Sequence, residues 1–146
     1  MRHMMITSLL GLFGCVDPGS LVNREQPHVD IGNGGSVHGS NRMVIYADET
    51  VVFSNWDPTN GNDQTVVTDL PAGTYEKMRG VALAQMSTYE QPDGVLCVDY
   101  GTDYITVVDA PDDQQTMADG CPNTDMRAAQ EAVRQVYRDA VEGVSE

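Results

Sequence analysis

Lysine is nearly missing from this chain: of 146 residues only Lys77 is a lysine, and eight Lys and Arg together face 22 Asp and Glu, a formal net charge of −14. Affinity for DNA or RNA comes largely from Lys and Arg displacing condensed counterions, so nucleic acid is excluded as a partner. Histidine is also scarce, with His3, His28 and His38 the only three. The three cysteines show no Cys-x-x-Cys spacing, so no zinc set forms and no metal or other cofactor is expected. Gly-x-Ser-x-Gly, the P-loop and Gly-x-Gly-x-x-Gly are all missing. Gly32-Asn33-Gly34-Gly35 has no strand before it and no helix after it in this reading, and His28 and His38 fall in the same glycine-rich stretch, where nothing fixes a catalytic geometry. A chain of this length makes one domain.

What is present begins at the N-terminus. Arg2 opens a short basic start, an uncharged apolar run extends from Met4 to Gly14, and Cys15 follows. At about 1.5 Å per residue the run reaches roughly 16 Å, half of a ~30 Å hydrocarbon core. That is too short for a membrane-spanning helix and has the layout of a signal peptide. Leu12-Phe13-Gly14-Cys15 resembles the lipobox of bacterial lipoprotein precursors, with Phe13 where a small residue is usual. The resemblance implies cleavage before Cys15, diacylation of that cysteine and retention on a membrane, since each buried methylene contributes about 0.8 kcal/mol and two chains hold where one is marginal. Val16 after the cysteine, rather than an aspartate, implies compatibility with the outer membrane. The alternative is a buried apolar helix of a cytosolic domain. Residues 16–40 hold Pro18, Pro27 and five glycines (Gly19, Gly32, Gly34, Gly35 and Gly39) with no evident apolar period, and read as a flexible tether. The expected organisation is a signal peptide at 1–14, a lipid-anchored tether at 15–40 and a domain at 41–146.

With Cys15 set aside, Cys97 and Cys121 remain, an even number in an exported chain, and a disulfide between them is expected. It would close a loop whose residues from Asp109 to Gly120 offer little apolar material of their own.

In the body, Met43–Tyr46 and Thr50–Phe53 read as a hairpin turning at Asp48-Glu49, and Thr65–Thr68 as a third strand. Tyr75, Met78, Ala82 and Met86 recur at helical steps, with Thr74 placed to cap the helix. Val95–Tyr100 and Asp103–Val108 read as a second hairpin across Gly101-Thr102. A last helix from Asn123 or Thr124 carries Met126, Ala129, Val133, Val136, Tyr137, Ala140 and Val141 on one stripe, with Arg127, Glu131, Arg134 and Arg138 turned outward. Asp125 and Arg138 suit the two ends of its dipole. The predicted order is β-β-β-α-β-β-α, an α+β fold with about five antiparallel strands and two helices on one face. This order, together with Cys97 and Cys121, resembles small domains carried by bacterial lipoproteins, which supports the fold class and implies no activity.

Among side chains with chemistry, Asp57, Asn60, Asn62 and Asp63 offer calcium-type oxygens, but the EF-hand order and its closing glutamate are missing, so a polar turn is the simpler reading. Trp56, the single tryptophan, falls in a loop and reads as a lid over the sheet edge or as a partner-binding anchor. The leading expectation is therefore a non-enzymatic envelope lipoprotein that binds a partner. The rivals are an envelope enzyme acting through carboxylates, one of them with a raised pKa inside a pocket, and an acidic inhibitor or immunity-type module that blocks a basic cleft.

Overall fold

The computed structural model describes residues 25–35, 37–68, 70–92 and 97–143. Cys15, the apolar run before it and the first part of the expected tether lie outside the described residues. Eight elements follow in order: β1 (His28–Gly34), β2 (Ser40–Tyr46), β3 (Val51–Asp57), β4 (Gly61–Val67), α1 (Thr74–Thr88), β5 (Thr102–Ala110), β6 (Asp113–Asp119) and α2 (Thr124–Gly143). The strands form one sheet in the order β4-β3-β2-β1-β5-β6, and every neighbouring pair is antiparallel. The α+β class is as expected, with six strands rather than five.

One strand that was not expected is β1, which corrects the reading of residues 28–34 as tether. Val29 and Ile31 are fully buried against the helices, and β1 sits between β2 and β5 as a central strand. Its Gly32 has a specific use. A Cβ there would lie 2.3 Å from the Asn41 carbonyl oxygen and 3.0 Å from Tyr104 Oη. Only glycine lets Tyr104, its register partner on β5, reach across to donate a hydrogen bond to Asp30 Oδ1 at 3.2 Å.

Side chains alternate across the sheet. Val29, Ile31, Met43, Ile45, Val51, Ile105, Val107 and Met117 share one apolar cluster with Tyr75, Met78 and Ala82 of α1 and Met126, Ala129 and Val133 of α2. The opposite face carries a smaller buried cluster of Val44, Tyr46 and Val52. There His28, read as a solvated linker residue, is buried with its ring 5.6 Å from that of Tyr46. Among the described residues no helix is long and apolar enough to cross a membrane.

The second hairpin also differs from expectation. Val98 to Tyr100 form a turn, Val98 is 89% exposed, and Val95 and Leu96 lie outside the described residues. The partner of β5 is instead β6, drawn from the acidic stretch after Asp109. Along β6 only Met117 and Asp119 are buried, because it is an edge strand whose other side chains face water. Its polar composition therefore resembles a loop.

Both helices are capped by side chains, though not as the sequence suggests for α1. Gly73 precedes α1 in a left-handed conformation without a side-chain cap, and the Thr74 hydroxyl donates to the Pro71 carbonyl at 2.6 Å. The free N–H groups of Gly73 and Tyr75 are bonded by the Glu49 carboxylate at 2.7 and 2.9 Å. Glu49 reaches them from the β2–β3 turn, where its φ is +65°. Replacing Glu49 with alanine is expected to lower stability by about 1–2 kcal/mol, the usual range for a lost cap, measured by urea denaturation; an unchanged midpoint would show that water replaces the carboxylate at no net loss. For α2, Asn123 Oδ1 accepts from the N–H groups of Asp125 and Met126 at 2.8 and 3.3 Å. The last turn of α2 holds no basic residue. Arg138 is bonded back to Gln135 at 2.6 Å and to Glu131, so it does not serve the helix terminus. The apolar stripe extends only to its middle: Val136 and Tyr137 are half-buried at the core and Val141 is 38% exposed.

Candidate functional site

One end of the sheet brings the last residues of β1 and β3 next to the first residues of β2 and β5, and the turn before β5 closes the side. The result is an open depression of about 560 Å³ lined by Asn33, Asn41, Asn55, Trp56, Tyr100 and Asp103, with His38, Gly39, Ser40, Asp57 and Asp99 around them. Trp56 belongs to β3 rather than to a loop, paired with Ser40 of β2 and Asn62 of β4. Trp56 is 39% exposed. Gly39 sets its position: at φ +123° its absent Cβ would stand 2.7 Å from the Trp56 carbonyl oxygen, so the β1–β2 connection lies directly against the β3 backbone.

The floor, on the helix face of the sheet, is tied to α2. Gln130 Nε2 donates to the carbonyls of Gly32 at 2.8 Å and Tyr104 at 3.1 Å, which ties β1 and β5 to the helix. Arg134, expected to face outward, is half-buried and donates to Asn41 Oδ1 at 3.2 Å. Burial holds its guanidinium below the usual value. Asp103, 5% exposed, has both oxygens engaged: Asn33 Nδ2 donates to Oδ1 at 3.0 Å and Tyr100 Oη to Oδ2 at 2.5 Å. Burial and this bond push the Tyr100 hydroxyl pKa up. At the rim, Asp57 Oδ1 accepts from the N–H groups of Thr59 and Asn60 at 2.7 and 3.1 Å and from the Thr59 hydroxyl. These bonds hold its carboxyl below the ordinary range. The oxygen that would lead a calcium site thus closes its own turn, and no group of three His, Cys, Asp or Glu among the described residues is placed to hold a metal.

Two other polar clusters brace the fold. The Cys97–Cys121 disulfide is formed, with Cα atoms 5.0 Å apart. Beside it, Asp119 accepts from Tyr89 Oη at 2.9 Å, Asn123 Nδ2 at 2.7 Å and the Cys121 N–H at 2.9 Å. Burial alone would raise its pKa, but the three bonds together lower it. Tyr89 is pushed up to about 12 by burial and by Asp119. Arg79 of α1 grips Asp109 of β5 through two bonds at 2.7 and 2.5 Å, which lowers the carboxyl pKa. Every carboxylate with a resolved shift moves down, the direction opposite to that of a general acid.

Of the residues singled out by sequence, the structure pairs Cys97 with Cys121 and sets Trp56 in the depression, while Cys15 is outside the described residues. It adds Asn33, Asn41, Asn55, Tyr100 and Asp103, none of which carries a motif; their one shared trait is a position at the same end of neighbouring strands. Comparison with protein-family models, with curated proteins and with solved structures returned no match.

Proposed function

We propose that this chain is a lipid-anchored protein of the bacterial envelope whose α+β domain is a non-enzymatic binding module, with the depression around Trp56 as its contact surface. The observation that supports the reading is an exposed tryptophan at a sheet end whose neighbouring strands are tied to α2. Arg134, Gln130 and Asp103 are all engaged in fixing the strands that carry Asn33 and Asn41, and β3 with Trp56 pairs with the second of these, so binding would require little ordering of the protein. The lipid anchor rests on Leu12-Phe13-Gly14-Cys15, and Val16 favours the outer membrane. Acyl chains at Cys15 hold the protein, and residues 16–27 ahead of β1 give the domain its reach.

A benzophenone-bearing residue in place of Trp56, expressed in a bacterial host, tests both parts at once. The expected result is a membrane-fractionated chain that starts at an acylated Cys15 by intact mass and that gains adducts of higher mass on illumination. A full-length unmodified chain in the soluble fraction would end the anchor reading. Illumination without any adduct in the envelope would end the contact-surface reading.

A further inference from the structure

A second pocket, of about 520 Å³, opens on the sheet face opposite α1 and α2 and shares no residue with the depression around Trp56. We propose that it binds a small neutral cyclic amide, the ring N–H donating to His28 Nε2 and the adjacent carbonyl accepting from Arg42 Nη1. The starting point is His28, which is 5% exposed and yet lines the pocket. Its Nδ1 lies 2.7 Å from the Gln26 carbonyl oxygen. A carbonyl only accepts, so the neutral ring carries its proton on Nδ1 and its lone pair on Nε2. Nε2 has no partner among the described residues. A buried acceptor left unpaired is costly, and the pocket is the place from which a donor reaches it.

Strand register places the other groups on the same face. His28 pairs with Val108 of β5 and Val108 with Gln114 of β6, while Asp30, the next side chain of β1 on this face, pairs with Thr106. Arg42 reaches from β2 to Asp30 through Nε and Nη2, which leaves Nη1 without a bond among the described residues. Alternate side chains of a strand branch about 7 Å apart, and an amide edge with a hydrogen bond of about 3 Å at each end spans that distance. The Gln114 amide is exposed, makes no side-chain bond among the described residues and is free to pair with the far side of the ring. Val108 and Pro111 give the ring an apolar wall.

Charge narrows the class further. Asp30 already matches Arg42, and each of its oxygens takes two bonds. An added anion would therefore stand uncompensated in a chain of net charge −14, beside Glu25 in the lining. A cation would stand against the Arg42 guanidinium. An apolar molecule would leave Nε2 and Nη1 both unsatisfied. A ring with an N–H next to a C=O meets both and brings no charge.

Isothermal titration calorimetry of the detergent-extracted protein with uracil and with hydantoin tests the proposal. The expected result is saturable binding of at least one of them. Its N,N′-dimethyl form keeps the ring and lacks the N–H, and is expected to bind about tenfold more weakly or not at all, the cost of leaving a buried acceptor unpaired. His28→Phe keeps an aromatic ring against Tyr46 and removes Nε2. In that variant the parent compound is expected to lose the same factor and to bind no better than its methylated form. Gln114→Ala, at an exposed position of an edge strand, is expected to weaken binding at an unchanged Tm and serves if His28→Phe does not fold. No saturable binding of either compound overturns the proposal and leaves a pocket filled by water. Equal affinity for the methylated forms overturns it too, as does undiminished binding in a folded His28→Phe or in Gln114→Ala. Saturable binding of acetate or guanidinium in place of the amides overturns it in favour of a charged ligand.

Discussion

Replacing Arg42 with methionine is expected to lower stability by about 3 kcal/mol, the low end of what is measured when one partner of a buried ion pair is removed. Asp30 stands in the middle of β1, 8% exposed. Its carboxylate accepts from Arg42 Nε at 2.9 and 3.0 Å and from Nη2 at 2.5 Å, and from Tyr104 Oη at 3.2 Å. The bond to Asp30 holds the Arg42 guanidinium above its ordinary pKa despite burial, and burial with the adjacent negative charge pushes Tyr104 up to about 12. Without Arg42 the carboxylate keeps one hydrogen bond and loses its counter-charge inside the sheet. Arg42 remains 29% exposed at its side chain, which is why the low end of the range applies. The double replacement Asp30→Leu with Arg42→Met should recover most of the loss, because removing both charges removes the desolvation penalty as well. Urea denaturation of the two single variants and the double variant gives the coupling directly. A single-variant loss under about 0.5 kcal/mol, the scale of exposed pairs, would show that water reaches Asp30.

Replacing Cys97 with serine is expected to lower stability by roughly 3.5 kcal/mol. The bridge joins residues 24 apart, and a closed loop of about that size removes this much chain entropy from the unfolded state. For a domain of this size the loss corresponds to a fall in Tm of roughly 14 °C. The effect is local in the native state too. Cys97 and Cys121 anchor the turn that carries Tyr100, which bonds Asp103 in the floor of the depression. Backbone amide exchange in residues 97–101 should therefore rise before that in β1 and β2. Melting of wild type and Cys97→Ser at the same temperature in non-reducing buffer would mean that the bridge does not form in solution.

How much of this was legible varies by element, for physical reasons. The β2–β3 hairpin and α2 announce themselves because one face of each is buried and the other is wet, so Met43, Ile45 and Val51, and likewise Met126, Ala129 and Val133, recur at the period of their element. β1 carries the same signal in Val29 and Ile31, which alternate with His28 and Asp30, but the run is short and four glycines follow Ile31 before β2 begins. Composition there suggests a tether. β6 is missed for the opposite reason, since an edge strand needs few apolar side chains. Trp56 stands out as the single tryptophan, whereas Asn41, Asn55 and Asp103 carry no signal, because polar residues at strand ends are common.

By itself the sequence determined the acidic surface, the α+β class, the apolar stripe of α2 and the even pair Cys97 and Cys121, since each follows from composition, local periodicity or parity. It also carries the lipobox-like start from which the anchor is proposed. Tertiary structure alone decided that residues 28–34 are the centre of the sheet, that Glu49 caps a helix beginning 25 residues later, and that Asn41, Asn55 and Trp56 come to the same end of the sheet. Strand pairing brings together residues far apart in the chain according to which backbone edges meet. No local pattern along the chain encodes that choice.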